Sequence, residues 1–209
     1  MKKIYLLIVL SFLIAAPDLI PSAEAQDKRR TEVRKKRRST KRKIRRKTRR
    51  RVRRRVSRRA HILYASLPQY GVRITNYPQG AVRRSYSDAL YYYYKGIFYK
   101  EASGGFVVVR PTRGVRVRTL PPTTLRIVIP SGTYYYYYGN FYVEQNSEYE
   151  IVEPPLGAVV NAIPENYEVK EINRTEYYLW QDTYFLEVDA KEYEEGVGYE
   201  VVSLENQEK

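Results

Sequence analysis

Tyr91-Tyr92-Tyr93-Tyr94-Lys95-Gly96-Ile97-Phe98-Tyr99 recurs 43 residues further on as Tyr134-Tyr135-Tyr136-Tyr137-Tyr138-Gly139-Asn140-Phe141-Tyr142. After 43 more it returns in degenerate form as Tyr177-Tyr178-Leu179-Trp180-Gln181-Asp182-Thr183-Tyr184-Phe185. Aromatic residues favour pleated, half-buried strands, and the second turn residue is Gly, Gly and Asp, types that tolerate a left-handed backbone. The block therefore reads as a β-hairpin turning near Lys95-Gly96 and its equivalents.

Other landmarks keep the same offset. Pro68-x-x-Gly71-Val72-Arg73-Ile74 recurs as Pro111-x-x-Gly114-Val115-Arg116-Val117 and as Pro154-x-x-Gly157-Ala158-Val159-Val160, with Pro78, Pro121 and Pro164 in step. Each copy closes on a short strand, Phe106-Val107-Val108-Val109, Tyr149-Glu150-Ile151-Val152 and, after seven extra residues, Tyr199-Glu200-Val201-Val202. The fold expected is all-β: three tandem modules at 68–110, 111–153 and 154–203, each of four or five short antiparallel strands. A unit of this size is near the lower limit for folding alone, so neighbouring modules are expected to pack on each other.

Comparing the copies assigns faces, because side chains alternate along a strand. Phe98, Phe141 and Tyr184 are expected inside, and Ile97, Asn140 and Thr183 outside. In the closing strands Phe106/Tyr149/Tyr199 and Val108/Ile151/Val201 are expected inward, with Val107/Glu150/Glu200 outward. The tyrosine strand does not resolve this way and reads as covered on both faces.

The chain has 209 residues, 23 of them Tyr, no Cys and a formal net charge of +15. The charge is uneven: 26–59 carries 22 Lys/Arg against two acids, 60–143 is +8 and 144–209 is −13. Residues 1–25 read as a signal peptide, with Lys2 and Lys3, an apolar run from Ile4 to Ala16 too short to span a bilayer comfortably, and Ala23-Glu24-Ala25 as a small-x-small cleavage site before Gln26. Residues 26–63 form a polybasic arm and 204–209 a tail. The arm's cations repel one another, so it is expected to be disordered or conditionally helical. Val33, Ile44, Val52, Val56, Ala60 and Leu63 lie at spacings compatible with one helical face, which an anionic surface would let it lay down.

The YYYY-x-G-x-FY block, the closing Val108-Val109-Arg110-Pro111 and Ile151-Val152-Glu153-Pro154-Pro155, and Gly157-Ala158-Val159-Val160 resemble a family of exported Gram-negative bacterial proteins of unknown function. The resemblance covers about residues 68–203. It implies an envelope location, in the periplasm, at the outer membrane or in the medium, and it brings no catalytic residues. The third copy departs from it, with Leu179-Trp180 and no Gly in its turn.

The chemistry available is limited. His61 is the only histidine, so nucleophilic constellations built on His or Cys and zinc sites of the His/Cys type have no members. Acids after residue 144 alternate with Tyr and Val, as a solvated strand face does, and Glu187, Asp189, Glu192, Glu194 and Glu195 lack the spacing of an EF-hand loop. No catalytic residue, metal or cofactor is expected. The candidate polyanion-binding residues are Arg34, Lys35, Lys36, Arg37, Arg38, Lys41, Arg42, Lys43, Arg45, Arg46, Lys47, Arg49, Arg50, Arg51, Arg53, Arg54, Arg55, Arg58 and Arg59. A candidate aromatic surface is Tyr92, Tyr94, Tyr135, Tyr137 and Trp180. The expected function is that of a non-catalytic exported envelope protein, structural or adhesive, whose arm binds lipopolysaccharide, phospholipid or acidic glycan. Its own acidic third module is a further partner, within one molecule or between two. The alternatives are a polyanion- or nucleic-acid-binding protein, if the chain is not exported, and more remotely a carbohydrate-active enzyme.

Overall fold

A computed structural model describes residues 23–194 and 196–204; most of the expected signal peptide, Glu195 and nearly all of the tail lie outside the described residues. One helix, α1 (Ala23–Tyr64), precedes fifteen strands that form three five-stranded antiparallel sheets. By compactness the chain divides into two units, 1–53 and 54–209, so the helix is shared between them.

The first sheet comprises β1 (Arg73–Ile74), β2 (Val82–Tyr86), β3 (Ala89–Tyr94), β4 (Ile97–Ala102) and β5 (Gly105–Val109), in the order β1-β5-β4-β3-β2. The second comprises β6 (Arg116–Val117), β7 (Leu125–Ile129), β8 (Gly132–Tyr137), β9 (Asn140–Gln145) and β10 (Glu148–Val152), and the third β11 (Val159–Val160), β12 (Glu168–Ile172), β13 (Thr175–Trp180), β14 (Thr183–Asp189) and β15 (Val197–Val202), in the corresponding orders. The mostly-β architecture and the count of three follow from the repeat. Registers repeat too: Tyr93 faces Phe98, Tyr136 faces Phe141 and Leu179 faces Tyr184. The rings of Tyr93–Phe98 and Tyr136–Phe141 adopt the same arrangement, 4.8 Å apart and tilted by 49°. The extra residues of the third copy enlarge the β14–β15 connection, which Tyr193 ties back by donating to the Val159 carbonyl at 2.7 Å.

Two hairpins turn with positive φ at both central residues, Lys95-Gly96 (45° and 88°) and Tyr138-Gly139 (45° and 85°), the conformation that matches strand twist across a two-residue loop. The glycines are required on a second count. A Cβ on Gly96 would overlap the Tyr137 ring, and one on Gly139 would overlap Trp180. Each turn is thus covered by the aromatic residue that ends the tyrosine strand of the next module.

Hydroxyls make a parallel junction. Tyr93 donates to the Thr119 carbonyl at 2.7 Å, and Tyr136, one period later, donates to the Ala162 carbonyl at 2.8 Å. The first and third modules also meet: Tyr70 and Trp180 lie 5.2 Å apart, and Arg110 pairs with Asp182 at 2.5 Å while lying over the Trp180 ring. The three modules therefore close on one another around a shared aromatic cluster, instead of stacking only in sequence order.

Several face assignments need correction. Val108, Ile151 and Val201 are buried as expected, but Phe106 and Tyr149 are only half-buried, as are Val107, Glu150 and Glu200. Ile97, Asn140 and Thr183, expected outside, are all buried, and Thr183 is more buried than its neighbour Tyr184. Alternation fails here because these hairpins are covered on both faces. Asn140, 1 % exposed, donates through Nδ2 to the Tyr70 hydroxyl at 3.2 Å, so a residue of the first module roofs the hairpin of the second.

The boundary drawn between arm and modules also moves. Val56, Ala60 and Tyr64, spaced four apart and so on one helical face, are buried, with Ala60 and Tyr64 in the same core cluster as Tyr91, Phe98 and Tyr138. The last three turns of α1 belong to the β body.

Candidate anion-binding surface

Within residues 28–53 the helix carries its cations on every face. Arg34, Lys35, Lys36, Arg37, Arg38, Lys41, Arg42, Lys43, Arg45, Arg46, Lys47, Arg50, Arg51 and Arg53 are exposed, and Arg49 is half-buried. Val33 and Ile44 are exposed as well, at 51 % and 61 %. The apolar stripe expected along the whole arm is thus two isolated residues in this part, while its remainder, Val52, Val56, Ala60 and Leu63, is half-buried or buried. Like charges four apart on a helix oppose it, and here they recur for seven turns. Tertiary packing at one end holds the helix, and neutralisation by an external anion would relieve the rest.

In the β body, the helix's last cations are differently employed. Arg55 pairs with Glu187 at 3.3 Å and Arg59 with Glu194 at 2.7 Å, while the hydroxyls of Ser57 and Tyr167 lie 3.0 Å apart. Arg54 and Arg58 are exposed. The sequence-predicted set therefore divides: Arg55 and Arg59 hold the helix on the acidic third module, and the others, Arg49 apart, are exposed.

The candidate aromatic surface is corrected at two positions. Tyr137, 8 % exposed, and Trp180, 3 % exposed, are the residues that cover the hairpin glycines, so neither offers a ring to a ligand. Tyr92, Tyr94 and Tyr135 remain half-exposed. Tyr92 stacks on Tyr77 with centroids 4.3 Å apart and meets Phe106 edge-on, and Tyr135 meets Tyr149 edge-on while donating to Glu144 at 2.9 Å. These rings are already occupied with their neighbours.

Burial dominates the electrostatics of the tyrosines. It pushes Tyr93 and Tyr138 up to about 12, and raises Tyr64, Tyr70, Tyr136, Tyr142 and Tyr178 further. All are neutral hydrogen-bonding groups at physiological pH, and none is poised for proton transfer there. Burial would also raise Asp182, but the Arg110 guanidinium beside it outweighs that and holds the carboxyl below its ordinary value. Among the described residues no group of three His, Asp or Glu is placed to hold a metal ion. Sequence reasoning missed a second group of cations, Arg83, Arg84, Arg116 and Arg118, which line a cleft between the first two modules. Comparing the copies position by position would have found them.

Fold and surface together define a repeat protein of three interlocked β-modules carrying a cationic helix. The chain belongs to the DUF6515 family, a family of unknown function, whose model matches residues 30–205. The match begins within the helix, so the family region includes most of the basic segment as well as the modules. No curated protein and no solved structure matches the chain.

Proposed function

We propose that this protein is a non-catalytic, exported envelope component, structural or adhesive, that attaches to anionic polymers or headgroups through the cations of residues 28–54. The observation that carries this reading is a helix charged on all sides whose packed apolar face, Val56, Ala60 and Tyr64, is taken up by its own β body. A helix that inserts into a lipid interface needs a continuous free apolar face, and residues 28–53 offer only the isolated Val33 and Ile44. Attachment is therefore electrostatic, to phosphates or carboxylates that surround the helix or lie beneath it. The leader-like residues 1–25 support an extracytoplasmic partner such as lipopolysaccharide, phospholipid or acidic glycan. A cytoplasmic chain would meet nucleic acid instead.

The test compares the full chain with one lacking residues 28–53 on anionic and neutral vesicles and on a soluble polyanion, across a salt series. The full chain binds the anionic targets and loses roughly a thousandfold or more in affinity between 50 and 200 mM salt if six to ten phosphates are engaged. The shortened chain keeps its circular dichroism in the β region and does not bind. Salt-independent binding, or equal binding by the shortened chain, defeats the reading. N-terminal sequencing of protein recovered from cell fractions checks export: the mature chain starts at Gln26, and a chain starting at Met1 in the cytoplasm removes that part of the proposal.

A further inference from the structure

The two successive junctions between modules are built on the same plan but filled with different chemistry. At the second junction β7 contacts β11, and these strands carry Ile127, Val128, Ile129 and Val159, with Ile127 buried and Val128 exposed. One period earlier the same positions are Arg84, Ser85, Tyr86 and Arg116. There the junction is an open cleft of about 470 Å³, lined by Arg83, Arg84, Ser85 and Tyr86 of β2 and by Gly114, Arg116, Arg118 and Glu148 of the second module. The repeat thus places the guanidinium groups of Arg84 and Arg116 where its sister junction carries the aliphatic Ile127 and Val159.

Two of the four are compensated. Arg116 pairs with Glu150 at 2.6 Å and Arg118 with Glu148 at 3.6 Å. Arg83 and Arg84 make no ion pair among the described residues, and the Arg84 Nε is buried without a hydrogen-bond partner. A buried, unpaired donor on a charged group is costly, and one beside three further cations is more so, unless an anion sits among them. A flat apolar surface adjoins this charge. The Tyr86 ring, 48 % exposed, lies against Gly114 so closely that a Cβ there would overlap it. An aromatic face held in place next to guanidinium donors is the combination that takes a sugar ring and its acidic substituent, and the volume suits one or two sugar units.

We infer that the cleft between the first and second modules binds an anionic saccharide, its phosphate or carboxylate held by Arg84 with Arg83 and Arg118, and its ring lying on Tyr86. The site is separate from the cationic helix and does not depend on it.

The experiment is an NMR titration of the full chain at 150 mM salt, following the Gly114 amide and the Tyr86 ring. The probes are glucose 6-phosphate, glucuronate, glucose and inorganic phosphate. Glucose 6-phosphate or glucuronate shifts both signals, glucose does not, and inorganic phosphate binds at least tenfold more weakly than the acidic sugar that binds. Arg84→Gln and Arg118→Gln each weaken the acidic sugar roughly tenfold, the scale of one charged hydrogen bond. Arg118 is largely exposed, so its replacement reads binding without threatening the fold. Tyr86→Leu weakens the sugar but leaves phosphate unchanged. Arg126→Gln, at the position in the second module that corresponds to Arg83, has no effect. Absence of shifts at Gly114 and Tyr86, or unchanged affinity in both arginine variants, overturns the site. Phosphate binding as tightly as the acidic sugars overturns the saccharide assignment. A high-molecular-weight acidic glycan that shifts the same two signals and is displaced by glucose 6-phosphate identifies the polymer-borne source. A free sugar acid or sugar phosphate is the ligand if only the small probes do so.

Discussion

Gly139 answers to two constraints at once, a left-handed backbone and the Trp180 ring laid against it, whereas Gly71 has a similar φ of 83° with open space around it. Gly71→Ala therefore carries only the backbone cost, about 1–2 kcal/mol. Gly139→Ala adds the overpacking of Trp180, a further 1–3 kcal/mol or so. Urea unfolding of the two variants measures the difference, and equal losses would show that Trp180 yields freely. The tyrosine hydroxyls can be sorted likewise. Tyr136→Phe strips the Ala162 carbonyl of a buried donor and costs roughly 1–3 kcal/mol, while Tyr134→Phe, whose hydroxyl meets only the exposed Ser131, is close to neutral. The third copy differs at the corresponding positions. Leu179 stands where Tyr93 and Tyr136 reach forward, and Asp182, where Gly96 and Gly139 receive a ring, holds Arg110 instead.

At the scale of elements, α1 is two things in one continuous helix. Its first part carries cations on every face. Its last three turns are structural, through Val56, Ala60 and Tyr64. Chains shortened to begin at Arg54 are expected to fold with nearly the thermal stability of the full chain, whereas chains beginning at Leu67 lose the cover of the aromatic cluster and melt at lower temperature or fail to fold. Ala60→Asp in the full chain separates packing from length, since a carboxylate there is buried without a partner and destabilises strongly. If truncation at Leu67 and Ala60→Asp both leave the melting temperature unchanged, the helix does not belong to the body. The sequence showed the 52-56-60-63 spacing that makes this face, but also extended it to Val33 and Ile44, because spacing alone does not say where a partner surface ends.

For the molecule as a whole, the buried tyrosines set the alkaline limit. Tyr93 and Tyr138 titrate near 12 in the folded chain and several others higher, against about 10 in an unfolded one. Because the folded values are the higher ones, this stabilisation is complete below pH 10 and is lost as pH rises through the folded values. Absorbance at 295 nm should therefore show a late phase, near pH 12 and above, that coincides with loss of the β signal. A single smooth titration near pH 10, with the fold retained, would contradict the burial described. The acid side runs the opposite way. Asp182 titrates below its ordinary value when folded, so its pairing with Arg110 stabilises above the carboxylate range and is lost as pH falls through it. The carboxylate is two-thirds exposed, so water screens the pair and the effect is small. Asp182→Asn should make the melting temperature fall a little less steeply between pH 5 and pH 2 than in the parent chain, and an identical slope would remove the pair from the acid response.

The period of 43 determined by itself the number of modules and the hairpins that set Tyr93 on Phe98 and Tyr136 on Phe141, because these are local pairings that each copy specifies with its own turns and alternation. It also marked the cationic segment, since charge is legible without a fold. What only the tertiary structure decided is what lies between copies. The burial of Asn140 under Tyr70, the covering of Gly96 and Gly139 by Tyr137 and Trp180, and the opening of a cleft at Arg84 where the next junction is closed at Ile127 all depend on which surfaces meet. Side-chain alternation assigns a residue to one face of a sheet or the other. Whether that face meets water, a neighbouring module or the end of a helix is set by packing between segments far apart in the chain, which no local pattern records.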